Sequence, residues 1–268
     1  MRVMFVGTSS SAGKTLISAL FCRYLRSKMV MVTPFKALNL SSRSFVTDDG
    51  AEIGIGQALQ AWASDLKPNG RMNPILIKPS GGKLRTIANG ADGDKMDRKA
   101  KFAHALKVYD ELCDKFDAVV VEGSGSPAEI NLRENDIANI NFAVARDIPM
   151  ILIGDIEKGG VFAGIYGTWR LIGDEGRRLM KGFIINKYYG DKDILKSGID
   201  RIESLTGMRC MGVLPHISVS LPEEDDSPCG IRHEHRDDKI GSYVEALDMM
   251  LEDIAEHIDM EGIIKLTE

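Results

Sequence analysis

Residues 3–20 read VMFVGTSSSAGKTLISAL, and the run Gly7-Thr8-Ser9-Ser10-Ser11-Ala12-Gly13-Lys14-Thr15 inside it decides the fold. Val3 to Val6 form a short apolar strand. A helical pattern opens at Lys14 and continues to about Lys28, with Leu16, Leu20, Tyr24 and Leu25 near one face. Between strand and helix stand only small residues, which let backbone N–H groups wrap a phosphate chain. The helix N-terminus adds a favourable dipole for an anion. In such a loop Lys14 can reach the β- and γ-phosphates, and the Thr15 hydroxyl can ligate Mg²⁺. Five residues separate Gly7 from Gly13, and Thr8 holds a place where the common motif has glycine.

The same grammar of apolar run, polar exit and helix recurs along the chain. Met29–Thr33 reads as a strand stopped by Pro34, and Glu52 to about Ser64 as a helix. Residues 65–98 read as irregular around Ile75–Ile77, and Phe102, Leu106, Tyr109 and Leu112 or Cys113 mark an amphipathic helix. Ala118–Val121, Met150–Ile153, Phe183–Ile185 and Met211–Leu214 are further strands. This predicts an α/β fold, P-loop NTPase-like, with a mostly parallel sheet and helices on both faces. Ile240, Val244, Leu247, Leu251, Ile254 and Ile258 predict one helix with an apolar stripe. The expected organisation is a domain over 1–222, a polar linker over 223–239 and a C-terminal helix within 240–268 on the same domain. Met29, Met31, Met249 and Met250 read as core positions.

Strand exits in such sheets are where ligands bind. Glu122 stands at one, suited to Mg²⁺ directly or through water. Asp155 stands at another, for metal or substrate. Asp48, Asp49 or Glu52 is a further metal candidate, with Asp48 or Asp49 as a helix cap the plainer reading. Asn186 offers one acceptor and two donors, which suits a purine edge. Cys229, His233 and His235 make a weak metal set in a polar stretch.

The chain has 268 residues, with 34 basic against 39 acidic and a net charge of −5. Phosphate-driven nucleic-acid binding does not fit that balance. The charge is unevenly spread. Residues 1–222 hold 30 Lys and Arg against 24 Asp and Glu, a net +6, while 223–268 hold 4 against 15, a net −11. A basic body suits anionic small molecules. No apolar run approaches the ~20 residues of a membrane span. Four widely spaced cysteines and no leader-like start point to a reducing, cytoplasmic setting.

Several longer stretches carry a resemblance: GTSSSAGKT (7–15), PFKALNLS (34–41), GAEIGIGQALQA (50–61), MNPILIKP (72–79), VVVEGSGSPAEINLRENDIAN (119–139), ILIGDIEKGGVFAGIYGT (151–168), GFIINKYYGD (182–191), GVLPHI (212–217) and LPEEDD (221–226). With these the chain resembles the ATP-binding synthetase domain of the cobyric acid synthases, in the wider dethiobiotin synthetase and cobyrinic acid a,c-diamide synthase family. The resemblance implies an ATP-dependent carbon–nitrogen ligase that amidates corrin-ring carboxylates through an acyl phosphate, with ATP and Mg²⁺ as cofactors. Lys14, Lys36, Lys78 and Glu122 would be catalytic. Gly7 through Thr15, with Asn186 and Pro215, would bind the nucleotide. Thr15, Glu122 and Glu52, or Asp48, would hold the metal, and Asn39, Asn131, Arg133 and Asp155 would face substrate.

The family's full-length synthases add a glutamine-hydrolysing domain that has no counterpart in this sequence. The resemblance therefore leaves free ammonia, a separate glutaminase subunit, or another carboxylate, with a homodimer also open. Two other classes compete: a dethiobiotin synthetase-like ligase and a nucleotide-dependent regulatory or partition-type protein. The long match at 127–139 disfavours the first. Partition-type proteins often carry an extra lysine early in the loop, where Thr8-Ser9-Ser10 stand.

Overall fold

The computed structural model describes residues 1–42, 44–217 and 236–267. LPEEDD (221–226), Cys229, His233, His235 and most of the expected linker lie outside the described residues. The chain divides into two compact units.

The first unit comprises Met1–Ile17, Val121–Ile217 and Ile254–Glu268. It contains β1 (Arg2–Gly7), the start of α1 (Lys14–Ser27) and the end of β9 (Ala118–Glu122). After these come α4 (Ile140–Arg146), β10 (Met150–Asp155), α5 (Val161–Leu171), α6 (Gly173–Leu179), β11 (Met180–Tyr188), α7 (Lys196–Thr206), β12 (Arg209–Pro215) and α9 (Met260–Thr267). The pairs β1/β10, β10/β11 and β11/β12 are all parallel. Val3–Val6, Ile151–Ile153 and Phe183–Ile185 are fully buried, as strands covered on both faces must be. Helices α5, α6, α7 and α9 pack on β10–β12.

The second unit comprises Ser18–Val120 and the described part of 218–253. It holds the rest of α1, β2 (Val32–Phe35), β3 (Leu38–Leu40), β4 (Phe45–Val46), β5 (Glu52–Ile53) and α2 (Ile55–Ala63). β6 (Ile75–Ser80), β7 (Lys83–Ala88), β8 (Ala91–Asp92), α3 (Arg98–Cys113) and most of α8 (Arg236–Ile254) follow. A small mixed sheet has the order β3-β6-β7-β8, and its strands β6, β7 and β8 occupy much of the stretch expected to be irregular.

The main sheet runs β12-β11-β10-β1-β9-β2. All four segments expected in a parallel sheet, 3–6, 118–121, 150–153 and 183–185, are strands of it. β1 is internal, and the chain leaves it toward β9 and β2 and later builds β10 to β12 on the other side. The turn after β1 therefore sits at a topological switch point.

Several local expectations shift. β2 runs through Pro34 rather than stopping there, because β2 is an edge strand, where a missing N–H can be tolerated. Glu52 is in a strand, and α2 begins at Ile55. Asp48 and Asp49 lie in the turn joining the antiparallel pair β4/β5, not at a helix start. The buried face of α3 is Ala105, Val108, Tyr109 and Leu112, with Phe102 and Leu106 only half-buried. The 240–258 stripe is broken: α8 ends at Ile254, Ile258 bridges to Gly212, and α9 starts at Met260. Of the four methionines only Met250 is buried. Met29, Met31 and Met249 are 85%, 56% and 69% exposed, since Met29 and Met31 flank the α1–β2 turn and Met249 is on the outer side of α8.

Candidate nucleotide site

In the first unit, Thr8 N donates to Ile153 O at 2.9 Å, tying the loop after β1 to β10. The helical ladder starts with Ile17 N on Gly13 O at 3.0 Å. Gly13 has φ +101°, a conformation that favours glycine, and a Cβ there would collide with Asn186 Nδ2. Lys14 is 7% exposed and its Nζ donates to Ser9 O at 3.0 Å, so its ammonium lies folded along the loop. Thr15 Oγ1 donates to Glu122 Oε1 at 3.0 Å. The hydroxyl and the carboxylate expected to share a metal are thus adjacent, and Glu122 is 1% exposed. Two hard oxygen donors suit Mg²⁺, which takes one or two protein ligands and completes its shell with water and phosphate.

The polar exits of the neighbouring strands are held in detail. Asn139 Nδ2 donates to Ser124 O at 2.7 Å, and Asn139 Oδ1 accepts from Ser124 N at 3.0 Å, fixing the chain just beyond Glu122. Asp136 accepts from the backbone N–H groups of Ala138, Asn139 and Asn141 and so starts α4. Asn186 Nδ2 donates to Ala12 O at 3.0 Å, binding β11 to the phosphate loop. That leaves its Oδ1 as the feature able to meet an exocyclic amine. Pro215 ends β12 opposite Tyr188, and just beyond it the His216 ring stacks on Tyr189 with centroids 4.8 Å apart.

Two residues expected to face substrate have partners within the protein. Asp155 accepts from Lys187 Nζ at 2.9 Å on one oxygen and from Glu157 N at 3.0 Å on the other. Arg133 donates to Leu171 O at 3.0 Å and Ile172 O at 2.9 Å, satisfying carbonyls at the end of α5. Asn131 is exposed on the 3₁₀ helix Ile130–Asn135.

In the second unit, Glu52 accepts from Lys78 Nζ at 2.6 Å and Ser44 Oγ at 2.7 Å. The Lys78 hydrogen bond holds the Glu52 carboxyl below the usual carboxylate range; burial opposes this, and Ser44 and the charges of Lys78 and Arg85 reinforce it. Asp48 is exposed, 3.5 Å from Lys67. Lys36 is 5% exposed. Asn73, not singled out by the sequence, accepts from Gly54 N and donates to Lys36 O and Ile75 O, each at 3.0 Å. Asn39 is buried, and its Nδ2 has no hydrogen-bond partner among the described residues.

Sequence reasoning missed Asn139, Lys187 and Asn73. Each acts on a backbone or a charge far away in sequence. An Asn-Lys pair at a strand exit was the one visible signal, and it marked Asn186 rather than Lys187. No helix of the described residues is long and apolar enough to cross a membrane.

The profile of a protein family described as "CobQ/CobB/MinD/ParA nucleotide binding domain" matches residues 3–228. A cobyric acid synthase of Clostridium acetobutylicum is 41% identical over 270 residues, covering 98% of this chain and 54% of that protein. One of Limosilactobacillus reuteri is 46% identical over 231 residues, covering 83% of this chain and 46% of that protein. A probable cobyric acid synthase of Methanoregula boonei is 46% identical over 245 residues, covering 88% and 51%. The chain spans about half the length of these curated relatives.

Proposed function

The chain belongs to the CobQ/CobB/MinD/ParA nucleotide binding domain family, and from that premise we propose that it is the ATP-dependent part of a corrinoid amide ligase. The observation that carries the reading is the Thr15–Glu122 pair beside the folded-back Lys14 at the end of β1. The likeness to cobyric acid synthases over nearly the whole chain supports the substrate class.

A carboxylate is a poor electrophile because its leaving group would be oxide or hydroxide. In the proposed reaction a carboxylate oxygen attacks the γ-phosphorus, the bond to the β-phosphate oxygen breaks, and ADP leaves. Ammonia then attacks the acyl carbon, inorganic phosphate departs with the bonding pair, and the nitrogen loses a proton. The loop N–H groups from Gly7 to Thr15 would hold the phosphate chain. Lys14 would swing from Ser9 O to the transferred phosphoryl group and offset its charge. Thr15 and Glu122 would hold Mg²⁺, which supplies further positive charge against the phosphates. Glu52, in the second unit, accepts from Lys78 Nζ and Ser44 Oγ; the metal ligands proposed here are Thr15 and Glu122. Asn186 Oδ1 and the segment after Pro215 would meet adenine.

Lys36 and Lys78 would serve the reacting carboxylate, with Asn39 as a donor and Asn131 as an exposed substrate contact. Residues 1–222 would act together as the synthetase module, with the 240–268 segment part of it.

The test is mass spectrometry of products from cobyrinic acid and its partial amides with ATP, Mg²⁺ and ammonia. A gain of amide groups, matched by ADP and phosphate, is the expected result. Corrinoid-independent ATP turnover with no amide formed would overturn the reading in favour of a nucleotide switch.

A further inference from the structure

The second unit carries a cluster of positive charge that phosphate binding does not use. β6 and β7 form an antiparallel pair joined by Gly81 and Gly82, whose φ angles are +56° and +76°. Positive φ at both central residues is what a tight two-residue hairpin turn requires. In the register Lys78 stands directly opposite Arg85, and Ser80 opposite Lys83. Directly opposed residues share a face of the pair, as do residues two apart on one strand. Lys78, Lys83 and Arg85 therefore lie on one face. Like charges directly opposed destabilise a sheet, and nothing in forming this hairpin calls for them.

One carboxylate in the unit already answers this face. Glu52 is bound by Lys78 Nζ at 2.6 Å and by Ser44 Oγ at 2.7 Å. The charge of Arg85 also favours the ionised Glu52. Lys83 and Arg85 themselves are exposed, and among the described residues neither has a salt bridge. Three cations against one internal carboxylate leave an excess of positive charge at the hairpin tip.

We infer that this hairpin face is a clamp for the non-reacting carboxylates of a polycarboxylate substrate, with Lys83 and Arg85 as its open positions. The inference rests on the corrinoid reading above. A corrinoid acid carries several side-chain carboxylates around one ring, and while one is phosphorylated the others need counter-charges. Arg85 can take a carboxylate through two parallel N–H bonds, and Lys83 through a point charge. Each amidation removes one negative charge from the ligand. The clamp therefore holds the acid more tightly than the amide, and its grip weakens as the product forms.

The test uses the full chain and the variants Lys83→Gln, Arg85→Gln and the double variant. Binding of cobyrinic acid, of a fully amidated corrinoid and of ATP is titrated separately at low and high salt, and each Tm is recorded. The double variant is expected to bind cobyrinic acid about three- to tenfold more weakly at low salt. The difference should shrink at high salt, because exposed charges are screened. ATP affinity and the weaker binding of the amidated corrinoid should not change, and Tm should not fall, since neutralising Arg85 removes its repulsion with Lys78.

If the wild-type chain binds cobyrinic acid and the double variant binds it equally well, the clamp is wrong and the corrinoid reading stands. An equal loss of ATP affinity would also overturn the clamp, since the face would then serve phosphates. Wild-type binding of ATP with no affinity for any corrinoid would overturn both.

Discussion

Lys14 Nζ on Ser9 O and Thr15 Oγ1 on Glu122 Oε1 are contacts that a bound triphosphate would replace. Lys14→Ala removes the cation proposed to act on the transferred phosphoryl group, so turnover should fall by ~10²–10³. Glu122→Gln keeps the shape and a hydrogen bond to Thr15 but loses the charge of the proposed metal ligand. Its Mg²⁺ titration should move to higher concentration while the fold is kept. Steady-state kinetics across Mg²⁺ concentrations check both, and wild-type rates in either variant would refute the assignment. Gly13→Ala is a second case at this scale. The backbone there is at φ +101° and the new Cβ would strike Asn186 Nδ2, which must stay on Ala12 O to hold the loop. The expected outcome is loss of nucleotide binding by calorimetry with far-ultraviolet circular dichroism nearly unchanged. That Lys14 and Thr15 open the helix after β1 and that Glu122 ends a strand was legible, because a small-residue turn and an apolar run mark those two places in the sequence. The partners of Asp155 and Arg133 were not, because Lys187 and the carbonyls of Leu171 and Ile172 come from segments that only folding brings near.

Among the elements, the amphipathic helix α3 shows what the local code can do. Asp97 Oδ1 accepts from Ala100 N at 2.7 Å, an N-cap that answers one of the helix's open N–H groups. Asp97→Ala should lower stability by about 1 kcal/mol, read as a shifted urea midpoint with an unchanged slope. An unchanged midpoint would show that the cap is not needed. Strands were harder to read where they are short. β4, β5 and β8 have two residues each, too few for period-two alternation to register. The hairpin β6/β7 had a usable signal in Gly81-Gly82, but Pro79 and the charges on its strands obscured it. β2 shows the reverse error. Pro34 reads as a stop in any strand, yet it is tolerated at a sheet edge, and edge position follows from strand order, not from neighbours in sequence. The split between α8 and α9 has the same origin. The apolar spacing continues through Ile258, but Asp259 N bonds to Met211 O and Val213 N bonds to His257 O, and this β-type contact interrupts the helix.

For the chain as a whole, the question that follows from the proposed amide formation is where the nitrogen would come from. Hydrolysis of glutamine by a cysteine nucleophile needs a thiolate that is accessible and stabilised by nearby positive charge. Among the described cysteines, Cys22 is buried. Cys210 is pushed up to about 11, first by burial, with a backbone bond to Gly212 opposing this and the charge of Glu203 adding to it. It therefore stays a thiol through the neutral and mildly basic range. Cys113 is half-buried on α3. We expect the 268-residue chain, assayed by itself with ATP, Mg²⁺ and cobyrinic acid, to release no glutamate from glutamine and to form amide when ammonium salt is supplied. The attacking species must be neutral ammonia, since ammonium has no lone pair. At fixed total ammonia the rate should rise with pH through the slightly basic range for as long as nitrogen attack limits turnover. The phosphoryl-transfer half, followed with hydroxylamine as a trap for the acyl phosphate, should lack that rise. Glutamate release by this chain alone, or amide formed from glutamine but not from ammonia, would refute the expectation. A rise of equal steepness in the trapped half-reaction would place the pH dependence in activation instead of in nitrogen attack.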